Sequence, residues 1–338
     1  MLNLSKLSSN IDLKGKRVLV RVDLDVPQMA DSNDLRLQSM VPTVDYLLKN
    51  GASEVILVGH RGRPEGTEDK SLTLKGFTPV LSEIIGEEVV FEADGKIILK
   101  ENLRFDPGEE ANDADFAKRL ASMADIYVNE AFAVSHRQHA SIVGVPKLLP
   151  GFLGLHFEKE LENLNRVLEN PKRPVVTLIS GVKEDKVDML PGLKIFSDKV
   201  LVGGRLPEYI DPDYGKGNGH PELLKDPKVT VGRLIQDRED ITIHTAEIFE
   251  EEIKTAGTVI LAGVMGKYEE EGHRQGTQKV FTAIANSNAF KVAGGGDTET
   301  ALQMFNLKDK FDWISVGGGA MLEFLINKTL PGIEVLKR

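Results

Sequence analysis

Short apolar runs that break abruptly into loops, alternating with longer stretches of helical period, constrain this chain more than any other feature. RVLVRVD (17-23), VILVGHRGRP (55-64), KIILKENLRF (96-105) and DIYVNEAFAVSHR (125-137) each read as a buried strand followed by a loop bearing Arg or His. Between them, PTVDYLLKNG, FTPVLSEIIGEEVVFE and DADFAKRLASMADIYV carry apolar residues at helical spacing, the first stopping at Gly51 just before the strand-like EVILVG. Buried strands that alternate with helices in this way build βαβ units and a mainly parallel sheet, so the expected fold class is α/β.

In open α/β sheets ligands bind beyond the carboxyl ends of the strands. There the loops would aim His60, Arg63, Arg104, His136 and Arg137 at one region. Any single loop Arg is by default a surface ion pair, but Arg also grips phosphate bidentately and never loses its charge. Their joint occurrence at strand ends points to a site for a small polyanion.

The second half repeats the rhythm with PVVTLISG (174-181), DKVLVGG (198-204), GTVILAG (257-263), FKVAGGG (290-296) and DWISVGGG (312-319), each ending in glycine. Glycine at a strand end lets backbone N–H groups approach a ligand closely and tolerates positive φ, which suits a phosphate or nucleotide crevice. In GGGDTETAL (294-302) the turn and following helix N-terminus would receive phosphates while Asp297 reaches magnesium. The plainer role for Asp297 is a helix cap. Lys183 in SGVKEDK is either a phosphate-bridging ammonium or a solvated lysine. The charged stretch between Pro150 and Pro174 reads as a long helix stopped by Asn170-Pro171, an interdomain connector, and 210-226 as a turn-rich surface excursion.

A chain of 338 residues exceeds one ordinary core. It suits two domains of roughly 150 residues each. A net charge of -10 disfavours nucleic acid and anionic membranes as partners, because both repel it. The absence of cysteine excludes disulfides, thiolate catalysis and Cys-ligated zinc, and it fits a reducing, cytoplasmic compartment. The most apolar stretch, 140-157, is broken by two prolines and Lys147 and is not a membrane span. Neither a Walker A sequence, a dinucleotide-binding glycine fingerprint opening a helix, nor HExxH is present. His136 and His139 have the spacing of one helical face without a carboxylate in register, which suits a phosphate or structural role better than a metal.

RVDLDVP (21-27) resembles the Arg-Val-Asp-Phe-Asn-Val-Pro signature of the phosphoglycerate kinase family. RLQSMVPTVDYLL, GHRGRP, ENLRF, VNEAFAVSHRQHAS, GVMGKYE, AGGGDT and SVGGGAMLEFL are similar to further motifs of that family, in the expected order. The resemblance implies two Rossmann-like lobes joined by a long helix. Residues 1-155, with a returning tail 326-338, would bind phosphoglycerate; 156-172 would connect; and 173-325 would bind nucleotide. It implies a monomeric, hinge-bending enzyme that reversibly moves a phosphoryl group between 1,3-bisphosphoglycerate and ADP, giving 3-phosphoglycerate and ATP with Mg2+. The alternative is a descendant that keeps the anion pocket as a binding or regulatory protein.

Carried over by motif, Asp23 and Asp25 would face the glycerate substrate, and His60, Arg63, Arg104 and Arg137 would hold its phosphate. Arg36 and Lys183 would stabilise the phosphoryl group in transfer. Lys186, Gly203, Gly204, Glu269, Gly294, Gly295, Gly296, Asp297, Thr298, Gly317 and Gly318 would serve the nucleotide, Glu269 at its ribose and Asp297 at magnesium. The chain departs from the family at Asp25 (Asn), at Ala262 (Asn), at Val316 (Thr), in SGVKEDK and in DITIHT, and it is short in its second half. Asp25 places a negative charge beside an anionic substrate, so Asn there should bind better.

Overall fold

The structure, a computed structural model, describes residues 4-9, 11-216 and 219-337; parts of the excursion 210-226 and of the tail 326-338 lie outside the described residues. It divides into two compact units, Met1–Glu162 with Thr329–Arg338, and Asn163–Lys328. No described helix is long and apolar enough to cross a membrane.

The first unit is built on β1 (Arg17–Arg21), β2 (Glu54–Val58), β3 (Val89–Phe91), β4 (Ile97–Leu99), β5 (Ile126–Asn129) and β6 (Gly151–Leu153). They form one six-stranded sheet in the order β3-β4-β2-β1-β5-β6. Every pairing is parallel, with Leu19 of β1 opposite Ile56 on one side and Tyr127 on the other. The central strands are buried residue after residue rather than alternately, because a sheet covered on both faces has no wet side. That is why they read as continuous apolar runs. All strands point one way, so the loops after β1, β2, β4 and β5 leave the same edge of the sheet.

The second unit contains β7 (Val175–Gly181), β8 (Lys199–Gly204), β9 (Val229–Val231), β10 (Thr258–Ala262), β11 (Phe290–Gly294) and β12 (Trp313–Ser315). Their order is β12-β11-β10-β7-β8-β9, again wholly parallel. The chain runs outward from β7 to β8 and β9, then returns to the other side of β7 with β10. This reversal opens a crevice at the carboxyl ends of β7 and β10, where such sheets take ligands. The strands β6 and β9, three residues each, have no counterpart among the apolar runs read as strands.

The unit boundary falls inside the helix Leu155–Glu169, whose start is anchored in the first unit by a buried carboxylate. Glu130, at the end of β5, accepts hydrogen bonds from the N–H groups of His156 (3.0 Å) and Phe157 (2.9 Å) and from the Thr43 hydroxyl (2.5 Å). Thr43 in turn accepts from Leu155 N at 2.8 Å. These bonds satisfy helix N–H groups that would otherwise be orphaned. A side chain at Gly154 would come within 2.3 Å of Glu130 Oε2, which explains the glycine. Burial raises the Glu130 pKa. The C-terminal residues fold back onto the first unit: Gly332 N donates to Ser135 O at 2.9 Å and Ser5 N to Leu336 O at 3.2 Å.

His136 and His139 do not share a helix. His136 follows the single turn Phe132–Val134, and His139 caps the short helical segment Ala140–Gly144 in extended backbone. Their spacing is a coincidence of loop geometry. No cluster of three or more metal-ligating side chains occurs among the described residues.

Candidate active site

At the carboxyl edge of the first sheet the basic residues divide into a buried layer and an exposed one. Arg21, the last residue of β1, is fully buried, and its guanidinium donates to Ser141 Oγ (2.9 Å), to Val22 O (2.5 Å) and to His60 Nδ1 (2.9 Å). Ser141 is fixed from behind by buried Glu109, which accepts from its hydroxyl at 2.6 Å and its N–H at 3.0 Å. Arg21 escaped the sequence reading. An Arg inside an otherwise apolar strand was the available signal, because a buried charge persists only when fully hydrogen-bonded.

A guanidinium has donors only, so His60 Nδ1 must accept. Burial, then the nearby Arg21 and Arg104, hold the His60 pKa well below its ordinary value, so the ring is neutral and its proton sits on Nε2. That nitrogen lies 3.8 Å from Asp25 Oδ2. The other Asp25 oxygen accepts from Gly62 N at 2.9 Å, so the carboxylate that departs from the family pattern caps the loop after β2.

Arg36 sits in the first turn of the helix Leu35–Ser39 because Asp34 caps it, accepting from Arg36 N at 2.9 Å. Its Nη1 donates to Asp25 O at 2.5 Å and its Nε lies 3.6 Å from Asp23 Oδ2. Asp23 is buried, and Oδ2 has no hydrogen-bond partner among the described residues. Such an orphan is costly unless a ligand satisfies it. Arg104 is also buried, donating to Gly62 O at 2.7 Å, with Nε 3.1 Å from Glu110 Oε1. Arg61 is tied up internally, donating to Val26 O and Ser71 O beside the Phe77 ring. Arg63, one residue beyond Gly62, is exposed, and so is Arg137. Arg137 is close enough to depress the pKa values of Arg104, His136 and His139.

In the second unit a cavity of about 500 Å³ opens at the ends of β7, β8 and β10. Lys183, Lys186, Gly204, Glu269 and Asp297 line it together with Arg205, Glu239 and Lys267. Two close approaches shape it. Gly204 has φ +58°, and a Cβ there would lie 2.8 Å from Gly181 N; Gly263 has φ +115°, and a Cβ would lie 2.5 Å from Ser180 O. Lys186 lies across Gly181 and donates to Ser180 O at 2.5 Å, while Lys183 is exposed. Burial lowers the Lys186 pKa, with Asp185 and Asp297 opposing the shift. Asp297 is an exposed carboxylate in the first turn of the helix Gly296–Met304.

Several of the residues expected at the nucleotide make close contacts within the second unit. Gly203 is buried under Met265 and Gly294 under Met321. Gly318 presses against the backbone of Gly294 and Gly295. Thr298 is buried with its hydroxyl accepting from Gly263 N at 2.9 Å, so it ties the β10 and β11 loops together. Gly295 supplies φ +109° at the turn, Gly296 is exposed with open space around it, and Gly317 precedes the helix Gly318–Asn327.

A basic edge suited to a polyanion in one α/β unit, and a cavity lined by lysines and a carboxylate in the other, fit the class of two-unit α/β phosphotransferases. Comparison narrows this class. The profile of the family described as phosphoglycerate kinase matches residues 8-239 and 222-328. The chain is 40% identical to a phosphoglycerate kinase of Dictyoglomus turgidum and 36% identical to one of Thermosipho africanus, each alignment covering 96% of both chains. Its structure is similar to phosphoglycerate kinases from Coxiella burnetii (TM-score 0.80, 30% identity) and Pyrococcus horikoshii OT3 (TM-score 0.84, 27% identity), with 98% of each chain covered. The chain belongs to the phosphoglycerate kinase family.

Proposed function

We propose that this chain works as a monomeric, hinge-bending enzyme that catalyses reversible phosphoryl transfer between 1,3-bisphosphoglycerate and ADP, forming 3-phosphoglycerate and ATP. The observation that carries this over a non-transferring descendant is that Lys183 and Lys186 after β7 and Asp297 after β11 line one cavity despite the shortened second half.

Arg63, Arg104, Arg137 and neutral His60 hold the substrate's distal phosphate, His60 through its Nε2–H. Asp23 Oδ2 accepts from the glycerate hydroxyl, which accounts for a buried carboxylate oxygen otherwise without a hydrogen-bond partner among the described residues. In the ATP-consuming direction the acceptor is the substrate carboxylate. Its pKa is near ~4, so it is already ionised and needs no general base. Arg36 and Lys183 neutralise charge on the group in transfer, where fixed cations contribute most. Glu269 faces the ribose, and Lys186 and the Gly295-Gly296 turn receive inner phosphates. One exposed carboxylate suits a nucleotide-borne magnesium, which takes one or two protein carboxylates and fills its remaining positions with phosphate oxygens and water. Asp297 would hold it, and the ion would offset phosphate charge. Domain closure about the helix Leu155–Glu169 and the tail 329-336 aligns donor and acceptor and excludes water.

The test is purified protein with 3-phosphoglycerate and MgATP, coupled to glyceraldehyde-phosphate dehydrogenase and NADH. NADH oxidation above the blank is expected; none would leave the non-transferring descendant.

A further inference from the structure

The nucleotide cavity has an electrostatically uneven floor. Lys183, Lys186 and Asp297 lie at the ends of β7 and β11, whereas Arg205 follows β8 and Glu239 follows β9. In the order β11-β10-β7-β8, β8 stands three strands from β11. That separation is about 14 Å at ordinary strand spacing, about the reach of a nucleoside diphosphate from phosphate to base. A nucleotide with its phosphates near Asp297 would extend its base toward Arg205, and Glu239 lines the same cavity.

Arg205 is held for recognition rather than left loose on the surface. Its backbone N–H donates to Gly181 O at 2.9 Å, and Nε and Nη2 fork onto fully buried Glu208 at 3.2 Å each. Glu208 is fixed further by Lys216 at 2.8 Å and Arg238 at 3.5 Å. The remaining nitrogen, Nη1, stands 3.6 Å from Glu239 Oε1, beyond hydrogen-bond distance, and both residues line the cavity. The other Glu239 oxygen is 3.5 Å from Lys267 Nζ. Side by side, the cavity shows a fixed donor and then an anionic acceptor.

Guanine carries the complementary sequence on one edge: the O6 acceptor, then the N1–H and N2–H donors. Adenine carries the reverse there, with N6–H donors that would face Arg205 and an N1 lone pair that would face Glu239. We propose that Arg205 and Glu239 are specificity residues that select a guanine nucleotide over an adenine nucleotide, O6 accepting from Arg205 Nη1 and N1–H and N2–H donating to Glu239. The proposal rests on the cavity being the nucleotide site of the phosphotransferase reading; ADP and ATP remain substrates there, and GDP and GTP bind more tightly.

Isothermal titration of the full chain with the magnesium complexes of GDP, IDP and ADP measures the preference directly. GDP should bind on the order of 10-fold more tightly than ADP. IDP, which keeps O6 and N1–H but lacks the 2-amino group, should fall between them. Arg205→Ala and Glu239→Gln should each bring the GDP to ADP ratio close to one, and a ratio is insensitive to the folded fraction of a variant. Equal or tighter ADP binding, no binding of any of the three, or an unchanged ratio in both variants would overturn the assignment. Turnover of 3-phosphoglycerate with GTP and with ATP separates the two levels. Activity greater with ATP retains the kinase and discards the selectivity. Inactivity with both nucleotides discards the kinase, while the binding ratio still decides the base.

Discussion

Arg21 Nη2 donates to His60 Nδ1 at 2.9 Å inside the first unit, joining two residues 39 positions apart. This contact sets which His60 nitrogen carries the proton, and so turns Nε2–H toward the space by Asp25.

Replacing Arg21 by Met removes the donor for His60, Ser141 and Val22 at once. Leaving buried acceptors unsatisfied should cost about 3 kcal/mol or more. The urea midpoint measures this, and the KM for 3-phosphoglycerate should rise as His60 loses its fixed tautomer. Wild-type values of both would show that Arg21 only fills space.

Arg36→Ala should lower kcat by about 10²-fold or more, while KM for 3-phosphoglycerate changes much less, because the charge is used chiefly on the group in transfer. A matched fall in substrate affinity with kcat preserved would reassign Arg36 to ground-state binding.

Asp25→Asn keeps an Oδ1 acceptor for Gly62 N–H while removing a negative charge from beside the anionic substrate. Binding of 3-phosphoglycerate should tighten several-fold, as the Coulomb term favours. Weaker binding in a titration would mean that the charge itself orients His60.

Gly204→Ala forces a side chain to φ +58° and to 2.8 Å from Gly181 N. A loss of about 1–3 kcal/mol is expected. Nucleotide affinity should fall with it, since the β7 and β8 loops must part. A thermal melt and a nucleotide titration check the two effects separately.

Stability should fall as pH drops from about 6.5 toward 4. Burial lowers the pKa values of His136 and His139 to about 4 and that of His60 well below 6.5. Over this window the unfolded chain takes up protons that the folded chain refuses, so stability rises with pH. Asp240, raised by burial to about 6, acts in the opposite sense, losing stability as pH rises from 3.8 toward 6. Asp240→Asn should therefore steepen the acid-side decline. Urea midpoints between pH 4 and 7 measure both slopes, and a flat wild-type profile would contradict the histidine assignment.

The strands and their ends were legible in the sequence because a doubly covered parallel sheet demands continuous apolar runs, and the residue types that follow each run are a local property. Motif order carried the family, and with it the expectation placed on Arg36, His60, Lys183 and Asp297. Local sequence could not separate Arg61, bound internally to Val26 and Ser71, from exposed Arg63 two residues later. Nor could it reveal Arg21 as the partner of His60, Asp25 as the cap of Gly62, Thr298 as a tie to Gly263, or Arg205 as a guanidinium fixed beside Glu239. The chain alone determined which segments become strands and what kinds of side chain stand at their ends. Tertiary structure decided which of those side chains are buried and bound and which remain for a ligand, because partners and desolvation come from segments far away in sequence that meet only when the sheets close.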